Sequence, residues 1–148
     1  MTIKRIELND ENVERLIELS GAWEEENCSH GLRKNTREDI KEPVYAAYDG
    51  DLTVGYAFGH FYEQESNQSY AEKGTKCFEI DEIYVLPQYR SKGAGRALFA
   101  ALESEAKGKA SLITLSTSTK DHKKILKFYT EDNGMEFHSA FLYKKTDG

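Results

Sequence analysis

The sequence predicts a single α/β domain, residues 1–148, built on a central mixed sheet flanked by helices. Three observations carry this expectation. In the first half, residues 43–48 and 52–62 read as strands joined by the tight turn Asp49-Gly50-Asp51, a hairpin signal. In the second half, a strand rich in aromatic and β-branched residues runs to Val85, turns at Leu86-Pro87 and enters an alanine- and leucine-rich helix through a glycine-containing loop. The chain also has 148 residues and 39% hydrophobic content, enough for one buried core. Strand hairpins followed by strand–helix alternation do not give the uninterrupted alternation of a doubly wound nucleotide fold. They give an antiparallel first half and crossover helices in the second.

In chain order, residues 2–8 form a first strand around Ile3, Ile6 and Leu8, with its register left open by the pattern. Asn9-Asp10 caps a helix that carries Val13, Leu16, Ile17 and Ser20 on one stripe. Periodicity is lost in residues 23–40, WEEENCSHGLRKNTREDI, read as a short second helix flanked by a loop. After the hairpin, whose second strand holds Gly55 and Gly59 as marks of a bulge or a close backbone contact, residues 63–76 are polar and form a long exposed connection. The helix after the glycine loop shows helical spacing at Ala94, Ala97, Leu98, Ala101 and Leu102 and stops at Gly108. Residues 110–115 are a strand, 116–120 a polar loop, and Asp121 caps a short helix bearing Ile125, Phe128 and Tyr129. Asn133-Gly134 turns into a final strand at residues 135–143, so the predicted order is β-α-(α)-β-β-β-α-β-α-β.

A formal charge of −6 argues against a general nucleic-acid binder, which must neutralise many phosphates. Cys28 and Cys77 lack the spacing of a zinc site or a disulfide framework, and no metal site is expected from the four scattered histidines. With no long apolar segment and no leader pattern, a soluble cytoplasmic protein that does not engage membranes is the expectation.

The stretch RSKGAG is where the chemistry concentrates. The first turn of a helix leaves backbone N–H groups without intrahelical partners, and its dipole favours negative charge. Gly93 and Gly95 leave those amides open, while Arg90, Lys92 and Arg96 add positive charge to an otherwise acidic chain. The segment lacks both the GxxxxGK[ST] and the GxGxxG phosphate signatures. It reads either as a pyrophosphate cradle or as a tight turn with a solvated basic rim. The run IYVLPQYRSKGAGRALFAALE resembles the acetyl-CoA-binding core of the GCN5-related N-acetyltransferases, the GNAT family, whose Gln/Arg-x-x-Gly-x-Gly/Ala pattern falls on Arg90, Gly93 and Gly95. The resemblance covers nearly the whole chain and is strongest over residues 79–102.

The resemblance implies an acyl-CoA N-acyltransferase fold and acetyl-CoA as cosubstrate, held by Arg90, Ser91, Lys92, Gly93, Ala94, Gly95 and Arg96 and by the strand backbone at Ile83, Tyr84 and Val85. It also implies direct transfer to an amine, with a strand N–H polarising the thioester carbonyl and a carboxylate accepting the proton. Glu79, Asp81 and Glu82 crowd into four residues of this strand. Strict alternation puts Glu79 and Asp81 with Ile83 and Val85, and Glu82 with Phe78, Ile80 and Tyr84, a division that a bulge would change. The family pattern favours Glu82 as base, then Glu79, with Asp81 beside the acceptor. Ion-paired or solvent-facing acids are the plain alternative.

Tyr129 matches the family tyrosine that protonates the departing thiolate, although Gly134 lies one residue farther on than usual and Met135 stands where phenylalanine is common. Tyr129 also shares an i,i+4 stripe with Ile125 and is equally readable as core. His122 stands where the family often has a coenzyme-contacting asparagine. Trp23 and Glu26 are candidates for an acceptor wall, or else a packed aromatic and a solvated acidic face. The expected function is acetyl transfer to a primary amine of a small, cationic molecule. The other readings are a protein N-acetyltransferase, a non-catalytic acyl-CoA-binding or regulatory domain, or a protein-interaction domain, with homodimer pairing through the final strand also open.

Overall fold

The computed structural model describes residues 1–147. Its centre is a five-stranded sheet in sequential order, β1 (Thr2–Ile6), β2 (Val44–Asp49), β3 (Leu52–Glu63), β4 (Lys76–Val85) and β5 (Leu112–Thr114). The first four strands run antiparallel, and β5 joins β4 in parallel after the crossover through α2 (Ala94–Ala106). Helix α1 (Asp10–Glu26) covers one face and α2 the other. No helix among the described residues is long and apolar enough to cross a membrane.

Each face is a consequence of periodicity. Val13, Leu16 and Leu19 form the buried stripe of α1 and pack on Val44, Tyr56, Phe58 and Tyr84. On the opposite face Leu98, Phe99 and Leu102 of α2 meet Val54, Phe78, Ile80 and Val85. Burial of each large apolar side chain contributes roughly 1.5–3 kcal/mol, so these stripes hold the helices in position. Helix α1 starts where Asn9 Oδ1 accepts from the Asn12 amide at 2.9 Å, a cap worth about 1 kcal/mol. It stops at Asn27, whose left-handed φ of 53° lets its N–H reach the Glu24 carbonyl.

The sheet is not regular at its middle. Phe58 pairs with Glu82 and Gly59 with Ile80, so Asp81 is an extra residue on β4. Before this bulge Phe78 and Ile80 face α2; after it Ile83 and Val85 do. The division expected from strict alternation is therefore overturned. Glu82 and Tyr84 share the α1 face with Glu79, because one inserted residue inverts the parity of the strand. Gly59 permits the distortion, since a Cβ there would run into the Glu79 carbonyl and lie 2.7 Å from the Phe78 ring.

Two further expectations are corrected. Residues 135–143 form no strand: the segment makes no ladder with the sheet, and Phe141 is 90% exposed, because an alternating pattern needs a partner edge and β5 is only three residues long. Residues 23–26 begin no second helix but extend α1, and the aperiodic stretch beyond supplies only a short 3₁₀ turn at Arg37–Asp39, closed by Thr36 and Asp39. The last helix, α3 (His122–Lys127), continues into a π-helical turn at Phe128–Asp132.

Gly59→Ala should lower stability by about 3 kcal/mol and the melting temperature by roughly 10 °C, because backbone and a buried ring would have to move. Gly21→Ala, inside α1 and facing only the flexible Lys34 chain, should hold or raise it. Thermal melts of the two variants compare these outcomes; equal melting temperatures would contradict the bulge account.

Candidate active site

The bulge opens into a cleft of about 300 Å³ on the α1 side, lined by Leu32, Asn35, Asp39, Phe58, Asp81 and Glu82. Glu82 is its central group. Tyr56 donates its hydroxyl to Glu82 Oε1 at 2.6 Å, and Asn35 donates from Nδ2 to the same oxygen at 3.0 Å. Burial lifts the Glu82 carboxyl above its ordinary value, against the opposing pull of those two donors, and nearby Asp81 and Asp39 lift it further. A buried carboxylate raised above its ordinary value holds a proton more readily than a solvated one, a property that suits a general base.

Asp81 and Glu79 stand on the same side. Asp81 Oδ2 is 2.7 Å from His60 Nδ1. Glu79 lies opposite His60 across the β3–β4 ladder, and its carboxyl is raised first by burial and then by the Asp81 charge. His60, Glu79 and Asp81 bring ligand-type atoms within 4.8 Å of one another. On the cleft's outer rim Arg33 is 3.2 Å from Asp39, and Lys41 adds a second cation.

At the end of β4 the chain crosses a 3₁₀ turn, Pro87–Tyr89, into the glycine loop. Ser91 and Gly93 both take left-handed φ values, 62° and 88°. Gly93 is the N-cap of α2 and offers no side-chain cap, and the Ala97 amide is the one that bonds back to its carbonyl, at 3.0 Å. The amides of Ala94, Gly95 and Arg96 are thus first-turn donors open to an anion, and a Cβ at Gly93 would meet nothing within 4 Å. Lys92 and Arg96 are exposed beside them, with Lys92 Nζ 5.8 Å from the Tyr89 ring centre.

Arg90 sits differently from the free cation expected. Its Nε donates to the Val85 carbonyl at 2.9 Å, its guanidinium lies 2.8 Å from Glu26, and it stands 5.7 Å from the Tyr84 ring centre. Tyr84 donates to Glu26 at 2.6 Å and stacks on Trp23 with ring centres 5.0 Å apart. Trp23, Glu26, Tyr84 and Arg90 therefore form one knot that ties the end of α1 to the loop. Trp23 and Glu26 are spent on that knot and do not line the cleft around Glu82.

β5 pairs only with residues 77–79 of β4. From Ile80 onward β4 loses this neighbour, so the backbone edge at Ile83, Tyr84 and Val85 has no strand beside it on that side. Tyr129, in the π-helical turn, is half-buried, 6.3 Å from Phe99 and 5.1 Å from Phe128, and burial alone pushes its hydroxyl up to about 12. The adjoining Phe128 ring would lie 3.4 Å from a Cβ at Gly95, so this turn docks on the start of α2. No buried side-chain polar atom among the described residues lacks a partner, and the Tyr129 hydroxyl, which bonds to no protein group, keeps contact with solvent. His122 is exposed as the first residue of α3.

The site thus unites Glu82, Glu79 and Asp81 in one wall and Ser91, Gly93, Ala94, Gly95 and Arg96 in one loop. Asn35, Tyr56 and His60 join the wall without having been singled out by sequence. Asn35 lies in the aperiodic stretch and leaves no pattern to read. Tyr56 did carry a signal, as a polar tip between the apolar Val54 and Phe58.

The acetyltransferase (GNAT) family model matches residues 7–135. An aminoglycoside acetyltransferase from an uncultured soil metagenomic sample superposes with TM-score 0.69 at 15% identity, covering 98% of each chain. An aminoglycoside N-acetyltransferase solved with CoA gives TM-score 0.70 at 18% identity, over 97% of this chain and 93% of that one. A putative acetyltransferase from Pyrococcus furiosus gives 0.68 at 17%, over 98% and 99%. No sequence match is found among curated proteins.

Glu82 also has a stability signature. A raised carboxyl binds its proton more tightly in the folded chain than in the unfolded one, so its contribution is fully present below the ordinary value of 4.5 and is lost as pH rises through the folded value. Glu82→Gln keeps an oxygen for Tyr56 and Asn35 but removes the charge. Its melting temperature should match wild type in acid and exceed it increasingly as pH rises; a difference that stays constant with pH would contradict the burial of this carboxylate.

Proposed function

The chain belongs to the acetyltransferase (GNAT) family, and from that premise we propose that this N-acetyltransferase moves the acetyl group of acetyl-CoA onto a primary amine of a small cationic molecule, with Glu82 as base. One observation carries the reading: β4 joins a carboxylate raised by burial, at Glu82, through the loop beyond Val85 to an uncapped helix N-terminus at Gly93 and Ala94, across a strand edge that β5 has left open.

Acetyl-CoA is the cosubstrate of this family, and it supplies the thioester. The amides of Ala94, Gly95 and Arg96, with Gly93 leaving them uncovered, suit its pyrophosphate, and Ser91, Lys92 and Arg96 border the same space. Arg90 contributes by holding the loop in shape through Val85 and Glu26. His122, exposed at the start of α3, is left as a peripheral coenzyme contact. A backbone N–H at the open edge near Ile83, Tyr84 or Val85 polarises the thioester carbonyl. Glu82 takes a proton from the acceptor ammonium and passes it to solvent, and the freed nitrogen lone pair forms the C–N bond. As the C–S bond breaks, the nitrogen sheds its surplus second proton, which balances the one Tyr129 gives up and regains through solvent. Tyr129, high in pKa and therefore protonated, gives the sulfur its proton.

The acceptor side favours cations because Glu79, Asp81 and Glu82 share one face of β4, and the aminoglycoside acetyltransferases among similar structures support a small amine. Glu79 is the reserve base and Asp81 an acceptor contact. A net charge of −6 supports a reading without nucleic-acid or membrane partners, in the cytoplasm. The unpaired residues 135–143, with Phe141 and Leu142 exposed, favour homodimer formation through a second copy, which size-exclusion chromatography with light scattering tests. A folded protein that binds acetyl-CoA yet acetylates nothing in a broad amine panel would instead be a non-catalytic acyl-CoA-binding domain.

Gly95→Asp puts a carboxylate among the first-turn amides and should weaken acetyl-CoA binding at least tenfold by calorimetry. Gly95→Ala adds the same contact with Phe128 without charge and should bind far better. Equal affinity in the two variants would remove the pyrophosphate assignment. Tyr129→Phe should lower turnover by about 10²-fold while the melting temperature holds, since its hydroxyl bonds to no protein group; wild-type turnover in this variant would leave Tyr129 as packing alone.

A further inference from the structure

We infer that Tyr56 and Asn35 are positioning residues that fix which oxygen of Glu82 works as the base and keep that carboxylate ionisable, and that Ser20 of α1 holds Asn35 in place. The inference rests on the assignment of Glu82 as base. Both protein donors converge on Oε1, from Tyr56 at 2.6 Å and from Asn35 at 3.0 Å. Among the described residues Oε2 receives no hydrogen bond, so one oxygen is anchored and the other is left to the acceptor ammonium.

Each donor is itself fixed. Tyr56 is fully buried, stacks on Phe58 at 5.9 Å with planes 11° apart, and projects from β3 beside the bulge. Burial and the Glu82 charge raise its own hydroxyl well above the ordinary tyrosine value, so it stays a donor and does not compete for the proton. Asn35 is 8% exposed and comes from a connection with no regular structure, yet its backbone is clamped: its amide donates to Ser20 Oγ at 2.9 Å, and Ser20 in turn donates to the Ile17 carbonyl at 2.7 Å. A chain of hydrogen bonds thus runs from the backbone of α1 to the base. Ser20, an otherwise anomalous polar residue in the buried stripe of α1, is explained by it.

The physical effect has a definite sign. Hydrogen bonds to a carboxylate favour its charged form, so losing either donor raises Glu82 further and leaves less of it ionised at neutral pH. The other groups around it set the background: Asp81 on β4 and Asp39 from the loop raise it, and Arg33 and Lys41 line the same cleft as cations. None of these bonds to Glu82, so removing a donor is not offset by another ion pair.

The test is a pH profile of kcat/KM for the full chain, with acetyl-CoA and whichever primary amine turns over fastest, in wild type, Tyr56→Phe, Asn35→Ala, Glu82→Gln and the doubles of each with Glu82→Gln. Tyr56→Phe and Asn35→Ala should each lower kcat/KM about tenfold at neutral pH, move the acidic limb to higher pH and converge on wild type in alkali, the tenfold matching one charge-assisted hydrogen bond. Added to Glu82→Gln, neither should cost anything more. A loss that is uniform across pH, a profile superimposable on wild type, or a further loss in the Glu82→Gln background would overturn the positioning role while leaving the base in place. Wild-type activity in Glu82→Gln would overturn the base assignment itself, and the inference with it. If Tyr56→Phe does not fold, Asn35→Ala at the cleft margin carries the same comparison.

Discussion

Everything distinctive in this molecule depends on one extra residue in β4. The bulge at Asp81 interrupts a strand whose two faces belong to two different helices, and it exchanges those faces midway. Without it, Glu82 would project among Leu98, Phe99 and Leu102, where an ionised carboxylate would find no donor. With it, the strand still delivers Phe78, Ile80, Ile83 and Val85 to the apolar side, and Glu79, Glu82 and Tyr84 gather on the side that opens to the cleft. A single conformational irregularity thus reconciles an apolar core with a row of carboxylates. Gly59 is the residue on the neighbouring strand that tolerates it.

The same strand governs the loop that follows. As β4 leaves β5 behind, its edge opens, and the chain then passes into a turn held by Arg90. That arginine is more useful as an internal strut than as a free charge. Bonded to Val85 and Glu26 and faced by Tyr84, it holds the end of α1 and the start of the glycine loop in fixed relation. A glycine N-cap in the left-handed region contributes little to helix stability, but it leaves three amides facing outward, which is what an anion site requires. Stability is forgone at the helix end where the proposed anion binding needs open donors, and it is recovered in the buried stripes of α1 and α2.

Electrostatics divides the two halves of the site. The loop side presents backbone donors with Lys92 and Arg96 nearby, while the cleft side presents Glu79, Asp81 and Glu82, with His60 bonded to Asp81. Burial raises Glu82 and Glu79, and the two donors on Glu82 moderate the rise. The result is a carboxylate that neither solvent nor a strong ion pair has levelled to ordinary behaviour. Its hydrogen-bond partners, Tyr56 and Asn35, come from a different strand and from a loop, so the surroundings of the proposed base belong to the tertiary structure as much as to β4.

The sequence alone determined the hairpin, the strand leading to Val85, the glycine loop and the helix stripes, because each rests on local periodicity and on turn residues close in the chain. It also determined the family, through the strand, proline turn and Arg-Ser-Lys-Gly-Ala-Gly run, and it marked Gly59 as a bulge or a close contact. Alternation by itself could not decide which face Glu82 takes, since parity changes with a single inserted residue and that insertion exists only relative to the register of β3. Nor was the fate of residues 135–143 legible: an alternating pattern states that a strand is possible, while its partner edge is a property of the whole sheet. Asn35, Tyr56 and the engagement of Arg90 with Glu26 lie 47, 26 and 64 residues from their partners in the chain, and contacts over such separations arise only when the fold brings them together.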